Sequence, residues 1–122
     1  MSSKQSTAPR SDGQWLEELS ALLEWLETQK GGVATFYEFQ DRALGLRAGN
    51  MGHAALLRLL ADLAGRFATD FDGEPLDLLT ASGALEILNG YVRQAGQVDT
   101  SKPEDALDLL NRIGMAELAS TT

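Results

Sequence analysis

The strongest constraint on the fold is a stripe of apolar residues in the middle of the chain, repeated at the three- and four-residue spacing of an α-helix. The stripe consists of Leu56, Leu57, Leu60, Leu63, Ala64 and Phe67. Arg58, Asp62 and Arg66 fall on the opposite side at four-residue intervals, where opposite charges can pair along a solvated face. This pattern predicts an amphipathic helix that forms the centre of the core.

Two further helices are predicted before this one. The first covers residues 12–30 and ends at two glycines. Its core stripe is predicted to be Trp15, Leu16, Leu19, Leu22, Leu23 and Leu26. The second is expected to open with a capping box, in which Thr35 and Glu38 satisfy backbone donors, and to cover residues 35–47. Its predicted core residues are Phe36, Phe39, Ala43 and Leu46.

The second half of the chain is divided by turn-forming residues. Asn50 is the predicted N-cap of the core helix, which then begins near Met51. A turn over residues 70–75 is followed by apolar residues that cover most of a helical wheel, which favours a central helix or two shorter helices broken at residues 80–83. A capping box at residues 101–104 predicts the start of a last helix. Its predicted core residues are Ala106, Leu107, Leu110 and Ile113.

The whole pattern predicts an all-α protein, a compact irregular bundle of about five helices joined by short connections. No segment alternates apolar and polar residues as a strand does, and no internal repeat is visible. Residues 12–118 are assigned to one helical domain, because a chain of 122 residues suits a single core. Residues 1–11 and 119–122 are expected to be disordered tails.

The composition argues against several classes of function. Eighteen acidic and ten basic residues give a formal charge of −8, which opposes direct nucleic-acid binding because phosphate contacts depend on lysine and arginine. The absence of cysteine removes disulfides, thiolate metal sites and cysteine nucleophiles. No apolar run is long enough to span a bilayer, and the acidic helix faces do not suit a membrane surface, so a cytoplasmic location is expected.

Two features invite a catalytic or metal-binding interpretation. The single histidine, His53, lies on the apolar side of the core helix and is predicted to be a core-edge residue, because a catalytic histidine needs an orienting partner. Four carboxylates cluster within residues 70–77, but Gly73 comes too early for a calcium loop and Leu79 stands where that loop needs a glutamate. Phosphate-binding loops and nucleophile elbows are also absent. We therefore predict no enzyme activity, no cofactor and no bound metal.

Three apolar residues are predicted protein contacts because they fall off the main stripes of their helices. Trp25 lies beside acidic residues on the flank of the first helix, and Tyr37 and Leu44 share one side of the second because they are seven residues apart. Together they are expected to form one apolar patch. The competing interpretation is that Trp25 packs beneath a neighbouring helix to close a small core.

Carboxylates complete the predicted partner surface. Glu17, Glu24 and Glu27 lie outside the apolar stripe and would steer the protein toward a basic protein partner. The sequence favours a non-catalytic acidic interaction module of bacterial or phage type, such as an inhibitor, immunity protein, antitoxin, adaptor or chaperone. Two alternatives stay open: a nucleic-acid mimic that regulates a DNA-binding protein, and a carrier of a small ligand or acyl chain, with His53 and glycines lining a cavity in the bundle.

Two glycines raise the question of close helix packing. Gly83 and Gly90 are seven residues apart and share one side of a helix, where a second helix could approach closely. Packing against a neighbour within the bundle is expected, and a homodimer contact is the alternative.

Overall fold

The computed structural model describes residues 12–99 and 101–118, and their regular structure is entirely helical. The α-helices are α1 (Asp12–Glu27), α2 (Val33–Gly45), α3 (Ala54–Asp70), α4 (Leu78–Gln97) and α5 (Pro103–Met115), with a 3-10 helix, Met51–His53, leading into α3. The predicted all-α bundle of five helices is confirmed. The expected tails at residues 1–11 and 119–122 lie outside the described residues.

The core is built around α3, which contacts α2, α4 and α5. All six residues of its predicted stripe are buried, and Ala61, Gly65 and Ala68 are buried beside them. α1 packs mainly on α4 and also contacts α2. Buried side chains from all five helices form one apolar cluster, in which α2, α4 and α5 contact the central helix and α1 joins through α4 and α2.

The predicted cap of the core helix has a different role. Asn50 is only 4% exposed and makes no side-chain cap hydrogen bond. Its side-chain amide instead donates to the Glu18 carboxylate at 2.6 Å and to the Leu46 carbonyl oxygen at 2.9 Å. Asn50 therefore ties the α2–α3 connection to α1, and α3 is entered through the 3-10 turn.

Both predicted capping boxes are wrong. α2 begins at Val33 after an extended Gly32, so Thr35 already lies inside the helix, and Glu38 pairs with Arg42 at 2.7 Å. α5 begins at Pro103, whose fixed φ and missing N–H suit the first helical position without a side-chain cap. The Ser101 hydroxyl donates to the Asp99 carboxylate instead.

α4 is one continuous helix of 20 residues, so the alternative of two shorter helices broken at residues 80–83 is wrong. The Asp77 carboxylate caps it by accepting the Thr80 backbone N–H at 3.2 Å. The apolar residues around the wheel did not require a break, because Leu78 and Leu79 are 77% and 82% exposed. Only one side of α4 faces the core.

Two core assignments at the edges of the bundle also need correction. Leu107 of α5 is 57% exposed, and the buried position is Leu109, which packs together with Ile113. Leu16 of α1 is 44% exposed although its neighbours on the stripe are buried. Both differences arise because an outer helix is covered over a narrower arc than the central one.

Candidate functional site

Trp25 is partly buried and belongs to the contact between α1 and α2. The Arg42 guanidinium lies 4.3 Å from the centre of the Trp25 ring, a cation–π arrangement. Glu38 holds Arg42 in place with two hydrogen bonds, at 2.9 and 2.7 Å. Trp25 is therefore covered in part by its own chain.

Tyr37 and Leu44 lie on another side of α2. The Tyr37 hydroxyl is 3.5 Å from the Thr69 hydroxyl on α3, and both Tyr37 and Leu44 pack against the core as partly buried residues. Arg42, which covers Trp25, is five residues from Tyr37, which corresponds to about 140° around a helix. The structure therefore does not bring Trp25 together with Tyr37 and Leu44 in one patch.

The three α1 carboxylates that were predicted to bind a basic partner differ in their surroundings. Glu17 and Glu24 are exposed on its outer side. Glu27 forms an ion pair with Arg93 of α4 at 2.6 Å, which links the two helices. Glu86 is exposed and lies seven residues before Arg93, on the same side of α4.

We call Glu17, Glu24, Glu27, Glu86 and Arg93 together the acidic face. Sequence analysis missed its α4 members because Glu27 and Arg93 are 66 residues apart in the chain, and nothing in the local pattern indicates that α1 lies beside α4. The face presents four glutamates and one arginine on two adjacent helices.

The outer side of α4, next to the acidic face, is not packed against the described part of the chain. A Cβ added at Gly83 or Gly90 would meet no other described atom within 4 Å. Leu79 is 82% exposed and Ile87 is 41% exposed on this side. The expected internal packing at the two glycines is therefore wrong, and we call this surface the open side of α4.

A pocket of about 430 Å³ lies at one end of the bundle, between the start of α1, the start of α3, the end of α4 and the start of α5. Trp15 and His53 contribute to it as a stacked pair, with ring centres 3.9 Å apart and planes within 6° of parallel. Trp15 is only 4% exposed, so the pair is anchored in the core. The apolar wall includes Leu16, Leu56, Val98, Leu109 and Leu110.

Charged residues occur on one side of this pocket, at Asp99 and Lys102. The Asp99 carboxylate accepts hydrogen bonds from the Ser101 hydroxyl at 2.7 Å and the Ser101 backbone N–H at 2.9 Å. These bonds favour the ionised form and lower the pKa of Asp99. The pocket therefore combines an apolar interior with one carboxylate and one ammonium group, and both side chains are exposed.

The described residues contain no group of three or more histidine, aspartate or glutamate side chains that could hold a metal ion. The carboxylates within residues 70–77 are exposed, and that of Asp77 serves as the cap of α4. Over residues 12–99 and 101–118, no helix is both long and apolar enough to cross a membrane.

Comparison with known proteins found no matching family model, curated protein or solved structure.

Proposed function

We propose that this protein is a non-catalytic acidic interaction module that acts in the cytoplasm and binds a basic protein partner through the acidic face. The observation that carries this proposal is the juxtaposition of that face with the open side of α4. Glu86 lies beside the apolar strip of α4 that the described chain leaves uncovered, and the Glu27–Arg93 ion pair joins the exposed side of α1 to this part of α4.

The charge of the acidic face supports a basic partner. Four of its five residues are glutamates, and its single cation, Arg93, is already paired with Glu27. Exposed carboxylates of this kind raise the rate of encounter with a positively charged surface, more than they raise the final affinity. Glu17 and Glu24 are the best candidates for this steering, because both are exposed and the ion pair between α1 and α4 does not use them.

The open side of α4 supplies the apolar contacts that affinity requires. Leu79 and Ile87 are large exposed side chains, and removing their apolar surface from water would favour binding. The adjacent Gly83 and Gly90 let a partner's backbone approach closely. These α4 residues replace Tyr37 and Leu44 as the proposed anchors, while Trp25 lies on the side of α1 that faces α2.

The proposal is tested by affinity capture of the tagged protein from an extract of its source cells, followed by identification of the eluted proteins. The test variant is Glu17→Lys combined with Glu24→Lys. The matched control, Asp72→Lys combined with Glu74→Lys, changes the net charge equally in the exposed turn before α4. Glu27 is left unchanged because reversing it would break its ion pair with Arg93.

We expect a basic protein to be recovered with the wild type and with the control but lost with the α1 variant. Equal recovery with all three proteins would contradict the proposal. If the recovered protein binds DNA, and if added DNA displaces it from the tagged protein, the narrower function is nucleic-acid mimicry.

A further inference from the structure

The pocket between α1, α3, α4 and α5 points to a second binding activity, separate from the acidic face. We propose that it binds a small, uncharged and largely apolar molecule with one compact polar end. The inference rests on the size of the pocket, the residues that keep it open and the charges beside it.

The volume of the pocket suits a small molecule. The pocket is a cleft that opens to solvent on one side, and its volume of about 430 Å³ lies within the range of about 300–1,000 Å³ that is typical of small-molecule sites.

Small residues line much of the pocket and leave its space open. They are Gly52, Ala55, Ala95, Gly96 and Ala106, contributed by four different helical elements or their ends. A Cβ at Gly52 would meet nothing within 4 Å among the described atoms. Filling the space would therefore require no rearrangement of the backbone at that position.

The apolar part of the pocket is already formed before a ligand enters. The stacked rings of Trp15 and His53 sit against it, and the burial of Trp15 holds the pair in one orientation. A site that needs no ordering on binding loses less affinity to conformational entropy. This geometry suits a chain or ring of carbon atoms that contacts the aromatic pair and the surrounding leucines.

The charges beside the pocket favour a ligand without net charge. An anion would be attracted by Lys102 but repelled by Asp99, whose carboxylate is held ionised by Ser101. A cation would be attracted by Asp99 but repelled by Lys102. A hydroxyl or amide group can hydrogen-bond to either residue without an unfavourable charge contact.

The test uses the full-length chain with Trp25→Phe, which leaves Trp15 as its only tryptophan. The neutral fluorophore N-phenyl-1-naphthylamine is the probe, and energy transfer from Trp15 reports its binding in the pocket. Competition with decanol, decanoate and decylammonium compares head groups on one chain length. We expect decanol to displace the probe at concentrations about tenfold lower than either charged compound, a difference of about 1.4 kcal/mol.

Two variants on α5 control for the position of binding. Ala106→Phe fills the pocket, whereas Leu107→Phe places the same side chain at the next, exposed position. We expect the first to abolish probe binding and the second to preserve it. Ala55→Leu, which fills the pocket from α3, replaces Ala106→Phe if circular dichroism shows that the latter does not fold.

Three results would overturn the proposal: no energy transfer from Trp15, equal probe binding by a folded pocket-filling variant, or tighter binding of decanoate or decylammonium than of decanol. None of these measurements involves the acidic face, so their outcome is independent of the proposed interaction with a basic protein.

Discussion

α3 and α4 are built from similar apolar residues but use them differently. α3 buries nine of its 17 residues, whereas α4 buries six of its 20 and leaves Leu78 and Leu79 almost fully exposed. α3 therefore contributes more of its length to the core than α4 does. The apolar residues of α4 that the core does not use are available for contact with another molecule.

The largest expected effect is on the free energy of unfolding, which should respond differently to substitutions in the two helices. Leu60→Ala in α3 removes a fully buried side chain and should lower the free energy of unfolding by about 2–5 kcal/mol. Leu79→Ala in α4 removes an 82% exposed one and should change it by less than about 0.5 kcal/mol. Urea unfolding followed by circular dichroism measures both, and similar losses would show that α4 is packed on both sides.

The glycines provide a second contrast between the same helices. Gly83→Ala and Gly90→Ala should each raise the free energy of unfolding by about 0.5–1 kcal/mol, because alanine favours a helix and the new methyl group meets no other described atom. Gly65→Ala in α3 should give a smaller gain, since its Cβ would displace the side-chain amide of Gln40. A loss of stability on substitution of Gly83 or Gly90 by alanine would show that another part of the protein contacts the open side of α4.

The Asp77 cap at the start of α4 should make the stability of the protein sensitive to acid. Hydrogen bonds from the Thr80 side chain and backbone lower the pKa of Asp77 below its ordinary value of 3.8. The stabilisation is therefore present above that value and is lost as the pH falls through the lower pKa of the folded state.

Asp77→Asn keeps a capping side chain but does not titrate. Between pH 6 and pH 3, its Tm should fall less than that of the wild type. Thermal melts measure both Tm values. An equal fall in Tm for the variant and the wild type would rule out this contribution from Asp77.

The smallest expected effect concerns the ion pair that joins α1 to α4. Arg93 and Glu27 are 51% and 42% exposed, so a double-mutant cycle with alanine should give a coupling energy of about 0.2–1 kcal/mol that decreases with added salt. A coupling energy well above this range would mean that the acidic face is more rigid and less hydrated than its exposure indicates.

The sequence predicted α3 well and α4 poorly for a physical reason. The stripe from Leu56 to Phe67 repeats at helical spacing, and its solvated side carries charges, so burial follows from the pattern. In α4 the apolar residues surround the helix, and the pattern alone does not say that Leu79 remains exposed. Capping boxes such as Thr35 to Glu38 were misleading because the backbone had already entered the helix at Val33.

In the candidate sites, too, the sequence predicts what depends on one helix and does not predict what depends on the packing of distant segments. The outward orientation of Glu17 and Glu24 follows from their positions on the helical wheel of α1. The pairing of Glu27 with Arg93 and the stacking of Trp15 on His53 depend on how distant segments pack. The pocket arises from the meeting of four helices, so its shape could not be predicted from any one segment.

The most direct test of the acidic face is the rate at which the captured partner associates with it. Stopped-flow measurements at about 20 mM and about 200 mM salt compare the wild type with the Glu17→Lys, Glu24→Lys variant and the Asp72→Lys, Glu74→Lys control. We expect wild type and control to associate rapidly at low salt and more slowly at high salt, and the α1 variant to associate slowly at both. Equal rates and equal salt dependence for all three proteins would contradict the proposal that α1 and α4 form the partner-binding surface.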